Sequence, residues 1–73
     1  MNFGERLKIL REKNELIQTE VAEYLHTSQS YYAQYENDRR PIPFDRVVEL
    51  SRLYGVSLDY IAGSTDDINR KPR

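Results

Sequence analysis

Seventy-three residues and 8.7 kDa make one small domain, and with 38% hydrophobic residues, 32% charged residues and no cysteine the chain lacks material for a second core, a large internal substrate cavity, a disulfide staple or a thiolate zinc site. Eleven Lys and Arg against twelve Asp and Glu leave a formal net charge of -1, so global charge argues for no class of partner and any electrostatic argument has to be local. No stretch approaches the roughly 20 apolar residues of a membrane span and the N-terminus lacks a signal-peptide pattern, so a cytoplasmic protein without membrane contact is expected.

Asn2 followed three residues later by Glu5 reads as a capping box, and Phe3, Leu7 and Leu10 recur at i, i+4 and i+7. This predicts a first helix from Phe3 to Lys13, with Asn14 as its stop. A short link through Leu16 leads to a second helix, Gln18 to Leu25, on which Val21, Ala22 and Leu25 share a face. His26 and Thr27 form a break. Ser28 then caps a third helix ending near Asn37, with Tyr32 and Tyr35 as its buried stripe. Pro41 and Pro43 exclude a helix interior, which makes Asp38 to Pro43 the longest internal loop, and Arg39 and Arg40 make it basic. Val47, Leu50, Ser51 and Tyr54 repeat at helical spacing and define a fourth helix from Phe44 or Asp45 to Tyr54, ended by Gly55 in the left-handed position. Ser57 caps a short fifth helix with Leu58 and Ile61 on its buried edge, closed by Gly63. Ser64 to Arg73 is polar and without apolar period, and is expected to be a disordered tail. The fold class read from this pattern is all-α, a compact five-helix domain over residues 1–63 followed by the tail 64–73.

Two short helices joined by a tight turn and packed on a third present the second helix to a groove, and the span from Gln18 to Asn37 has that length. The major groove of B-DNA admits one helix, whose first turns meet the base edges. With Tyr32 and Tyr35 facing inward, helical geometry puts Gln29, Ser30, Ala33 and Gln34 outward, with Tyr31 beside them. Small residues permit close approach, and a glutamine amide offers donor and acceptor together to adenine N6 and N7. That composition suits base reading.

The run Gln18-Thr19-Glu20-Val21-Ala22-Glu23-Tyr24-Leu25-His26-Thr27-Ser28-Gln29-Ser30-Tyr31-Tyr32-Ala33-Gln34-Tyr35-Glu36-Asn37, with Arg11 upstream and Tyr54-Gly55-Val56-Ser57-Leu58-Asp59 downstream, resembles the phage Cro and repressor type, or XRE-like, helix-turn-helix family. The agreement covers about Phe3 to Gly63 and is in register at Gln18, Ala22, Ser28, Glu36, Asn37, Gly55 and Ser57. The resemblance implies a lambda-repressor-like DNA-binding domain whose helix-turn-helix is formed by helices two and three. It implies that Gln18 and Asn37 contact phosphates, that Gln29, Ser30, Ala33 and Gln34 with Tyr31 meet the bases, and that Ala22 lets helices two and three approach. Arg11 and Glu36 occupy positions that form an ion pair in the family, tying helix one to helix three. Arg39 and Arg40 are the best cationic phosphate contacts, with Arg6 or Lys8 as further candidates.

Four positions depart from the family pattern. His26 stands where glycine is usual in the turn, at a cost on the order of 1 kcal/mol for a left-handed residue. Ile17 replaces a Ser or Thr cap, Asp38 replaces the glycine after Asn37, and Pro43 sits where the fourth helix would be capped. Charge is a further departure. Between Lys13 and Arg39 there is no Lys or Arg, while Glu15, Glu20, Glu23, Glu36 and Asp38 are acidic, so weak non-specific DNA binding with a shallow salt slope is expected.

The expected function is therefore a sequence-specific double-stranded DNA-binding transcription regulator, a repressor acting as a homodimer on an inverted repeat. A separate dimerisation domain is not expected, which leaves helices four and five, with Tyr54, Tyr60 and Ile61, as the candidate dimer contact. Tyr24 and Tyr31 are expected to be exposed, and the alternative reading is a protein-interaction module on the same fold, an antitoxin or an inhibitor of another regulator, that would use them. The isolated His26 gives no metal site, Glu20 and Glu23 read as helix-dipole acids, and no catalytic group, cofactor or small-molecule effector is expected.

Overall fold

Five helices follow one another in the computed structural model, which describes residues 2–62: α1 (Phe3–Lys13), α2 (Gln18–Tyr24), α3 (Gln29–Glu36), α4 (Phe44–Tyr54) and α5 (Leu58–Ala62). The expected tail 64–73 and the closing Gly63 lie outside the described residues. The fold is all-α and compact. α3 packs against α2 and α1, while α5 packs against α4 and closes on α1. Leu7 and Leu10 of α1, Val21 and Ala22 of α2, Leu25, Tyr32 and Tyr35 of α3, Leu50 and Tyr54 of α4, and Tyr60 and Ile61 of α5 form a single core.

The caps explain where the helices start. Asn2 Oδ1 accepts the Glu5 amide at 2.8 Å, Ser28 Oγ accepts the Tyr31 amide at 3.1 Å, and Ser57 Oγ accepts the Tyr60 amide at 3.0 Å. Ile17 has no side-chain acceptor to offer α2, but Glu20 reaches back and its Oε1 accepts the Ile17 amide at 3.0 Å, which supplies the other half of a capping box. Pro43 caps α4 without a side-chain bond.

The ends follow one rule. After each of the first four helices a left-handed residue reverses the chain: Glu15 (φ 57°), His26 (φ 58°), Asp38 (φ 56°) and Gly55 (φ 66°). The next amide then bonds the carbonyl five residues back, Leu16 to Arg11 at 3.1 Å, Thr27 to Ala22 at 2.9 Å, Arg39 to Gln34 at 2.9 Å and Val56 to Ser51 at 3.1 Å. Three of these corners carry a side chain where glycine is unstrained. Leu25 and Asn37, expected inside or at the end of helices two and three, are the residues just past them.

Asp38 does more than turn the chain. Its Oδ1 accepts the Gly4 amide at 3.0 Å, placing a carboxylate on the first turn of α1. A side chain at Gly4 would meet the Glu36 carbonyl carbon at 2.7 Å and Asp38 Oδ2 at 2.8 Å, so the N-terminus of α1 lies directly on the end of α3 and only glycine permits it.

Burial corrects two expectations. Tyr54 of α4 and Tyr60 and Ile61 of α5 are 9%, 8% and 0% exposed and belong to the core, which leaves little of these three side chains for a dimer contact. Arg6 is 6% exposed, its guanidinium 4.6 Å from the centroid of the Tyr60 ring, which removes it as a phosphate contact. Lys8 is exposed.

Candidate nucleic-acid interface

α3 is held by a polar chain running inward from its own face. Arg11 Nε donates to Glu36 Oε2 at 2.7 Å and Arg11 Nη2 donates to Glu36 Oε1 at 3.1 Å, a two-point fork, while Arg11 Nη1 donates to the Leu16 carbonyl at 3.0 Å. Gln18 Nε2 also donates to Glu36 Oε1, at 3.1 Å, and Gln18 Oε1 accepts from Gln29 Nε2 at 2.6 Å. Arg11 of α1, Glu36 of α3, Gln18 of α2 and Gln29 of α3 thus form one network. Burial alone would raise the Glu36 carboxyl, but the hydrogen bonds it receives, that of Arg11 foremost, hold it below the usual carboxylate range. Arg11 is held above its ordinary value by the hydrogen bond to Glu36. The Tyr32 and Tyr54 hydroxyls are buried beside this cluster without a hydrogen bond of good geometry; burial raises both, Tyr54 to about 12.

On the outer side, Gln29 and Ser30 are exposed, and Ala33 and Gln34 are half-exposed on the following turn. These four share the face opposite Tyr32 and Tyr35. Gln18, half-exposed at the start of α2, and Asn37, exposed at the end of α3, flank that face from either side. Tyr31 is not the exposed ring expected. It is half-buried, edge-on to Tyr35 at 5.7 Å between centroids, with the Arg40 guanidinium 4.7 Å and the Arg46 guanidinium 5.6 Å from its ring. Tyr24 is exposed.

Arg39 and Arg40 lie exposed in the loop 37–43, next to the end of α3. Arg40 Nε donates to Gln34 Oε1 at 3.2 Å, so a candidate phosphate contact touches a candidate base reader. Arg46, at the first turn of α4, is a residue sequence reasoning missed: its Nη1 donates to the Tyr35 hydroxyl at 2.7 Å. No periodicity marks such a residue, since its partners lie on another helix. The cations of this surface therefore sit along one edge, contributed by the loop and α4, while α2 and α3 carry none.

A shallow cleft of about 460 Å³ lies elsewhere, between Glu23, Tyr24, His26, Glu49 and Arg52. Among the described residues no group of three or more His, Cys, Asp or Glu side chains is placed to hold a metal ion, and no helix is long and apolar enough to cross a membrane.

Comparison with known proteins adds an independent line. A family model described as helix-turn-helix matches residues 7–61, which takes in all of α2, the turn and α3. The chain is 42% identical over 69 residues to YobD of Bacillus subtilis, described as an uncharacterized HTH-type transcriptional regulator, covering 94% of this chain and 62% of that protein. It is 39% identical over 71 residues to the HTH-type transcriptional regulator ImmR of the same organism, covering 97% of this chain and 55% of ImmR. With the HTH-type transcriptional regulator PrpR of Mycobacterium tuberculosis it shares 36% identity over 63 residues, 86% of this chain but 13% of PrpR. The chain thus spans at most about three-fifths of the length of these relatives.

Proposed function

Since the chain belongs to the helix-turn-helix family, in its XRE-like branch, we propose that it is a sequence-specific double-stranded DNA-binding regulator of transcription that lays α3 in the major groove. The observation that carries this reading is the division of α3 into a fixed inner face and a polar, uncharged outer face of Gln29, Ser30, Ala33 and Gln34. Gln29 and Gln34 read base edges, Ser30, Ala33 and Tyr31 shape the contact, and Gln18, Asn37, Arg39 and Arg40 set the register on the phosphates.

Residues 1–63 form the DNA-binding domain, with 64–73 as a polar tail. The regulator represses, and it acts as a homodimer on an inverted repeat, because one helix reads only a few base pairs and two helices about 34 Å apart give useful specificity. A contact through α4 and α5 then uses the half-exposed Leu53 and Leu58 rather than the buried residues beside them.

Selection from a random duplex library at about 0.1 M salt tests the reading. One enriched inverted repeat is expected, and a protein carrying both Gln29→Ala and Gln34→Ala is expected to lose it. No enrichment by folded wild-type protein would overturn DNA reading and favour a protein partner for the same surface.

A further inference from the structure

The side-chain amide of Gln34 is already engaged. Arg40 folds back from the loop so that its Nε donates to Gln34 Oε1 at 3.2 Å while its guanidinium lies 4.7 Å from the centroid of Tyr31. Tyr31 and Gln34 are three residues apart and therefore neighbours on the helix surface, which lets one planar cation span both. The ring under Arg40 is itself fixed. Tyr31 meets Tyr35 edge-on at 5.7 Å, Arg46 stands 5.6 Å from the Tyr31 ring, and Arg46 bonds the Tyr35 hydroxyl at 2.7 Å.

Resting on the DNA-binding reading above, we propose that Arg40 is a specificity-determining residue that sets the hydrogen-bonding polarity of Gln34. A free glutamine amide presents an acceptor and a donor, the complement of adenine N6 and N7. Arg40 occupies one of the two lone pairs of Oε1 and covers the acceptor end of the amide, so donors dominate this spot: the guanidinium and the Nε2 hydrogens, for which no partner occurs among the described residues. Gln34 and Arg40 together make a surface of donors. Its complement is a base edge made of acceptors, guanine N7 and O6 or thymine O4, and adenine, which presents its N6 donor, is disfavoured. Arg39, exposed one residue earlier and without a side-chain bond among the described residues, stays a sequence-independent phosphate contact.

The test measures binding to the four bases at the operator position whose preference Gln34→Ala abolishes. Wild-type protein is expected to prefer guanine or thymine there. Arg40→Ala is expected to move the preference toward adenine by about five- to hundredfold, the range of one well-formed bidentate contact. In a Gln34→Ala background the same change loses its base dependence, and Arg39→Ala lowers binding to all four bases alike. Arg40 is exposed, so its removal leaves the fold intact. A wild-type preference for adenine, or a loss on Arg40→Ala that leaves the order of preference among the four bases unchanged and so reports a phosphate contact alone, would overturn the role of Arg40 while leaving DNA reading standing. Failure of the wild-type protein to enrich any duplex would instead overturn the DNA-binding reading and this proposal with it.

Discussion

The two faces of α3 are built from opposite materials. Its inner face holds Tyr32, Tyr35 and Glu36 in the core, with Glu36 forked by Arg11 and bonded by Gln18. Its outer face holds two amides, a hydroxyl and a methyl, none of them needed by the core. Position is set by buried groups that cannot change without unfolding, and chemistry is presented by groups that can change freely. One feature crosses between the faces, the bond from Gln29 to Gln18, which passes the register of the buried network to the surface.

Replacing Glu36 by Ala is the strongest way to break this division. It strands Arg11 in a site where the pair shows little surface, and removal of one partner of a buried pair costs about 3–5 kcal/mol. For a domain of this size that is much or all of the stability. Thermal unfolding followed by circular dichroism is expected to show a collapse of the midpoint; a midpoint equal to wild type would show that the pair does not hold α3.

Acid acts on the same group by degrees. The folded Glu36 carboxyl lies below its ordinary value of 4.5, so its contribution is complete above that pH and is lost as pH falls through the folded value. Melting temperature is expected to fall on acidification below about pH 4.5, and a variant with both Arg11→Met and Glu36→Met, if folded, is expected to show a flatter profile. The tyrosines bound the other end of the range. Tyr54 is raised from 10.0 to about 12, so the folded state loses its advantage as pH rises from the first value toward the second.

The outer face gives the contrast. Gln29→Ala and Gln34→Ala are expected to change folding stability by no more than about 0.5 kcal/mol, and each to remove about 1–3 kcal/mol of discrimination at particular base pairs. A large drop in melting temperature for Gln34→Ala would erase the distinction between the faces. Gln29→Ala sharpens the comparison, since it also frees the acceptor of Gln18. The smallest effect concerns neither face: His26→Gly relieves a left-handed residue in the turn and is expected to raise stability by up to about 1 kcal/mol, measurable as a shift in denaturant midpoint.

Much of this was legible in the sequence because it is local. Spacing and caps place all five helices, and Asn2, Ser28 and Ser57 cap where such residues are expected to cap. What escaped is tertiary. Asn14 caps the end of α1 as its place in the sequence predicts, but nothing marks Glu15, one residue on, as left-handed, since glutamate has no preference for that region. Gly4 did give a signal, a helix-weakening residue in a first turn, whose reason is the backbone of Glu36 lying against it. The sequence marks Arg6 and Arg40 as candidate phosphate contacts and does not single out Arg46, yet each lies over an aromatic ring brought there by the fold. Tyr60 is harder to place, because a five-residue helix offers too little period to tell an inner from an outer edge, whereas the spacing already puts Ile61 on the buried side.

The three corners at Glu15, His26 and Asp38 bear on how long the molecule survives in a cell. Proteases act on the unfolded minority, and every 1.4 kcal/mol of stability changes that minority about tenfold. Glycine at Glu15 and His26 would thus lengthen the lifetime of the protein with every surface contact unchanged, and the amount present would rise without any change in synthesis. Asp38 is the corner where that exchange fails, because its carboxylate holds the Gly4 amide.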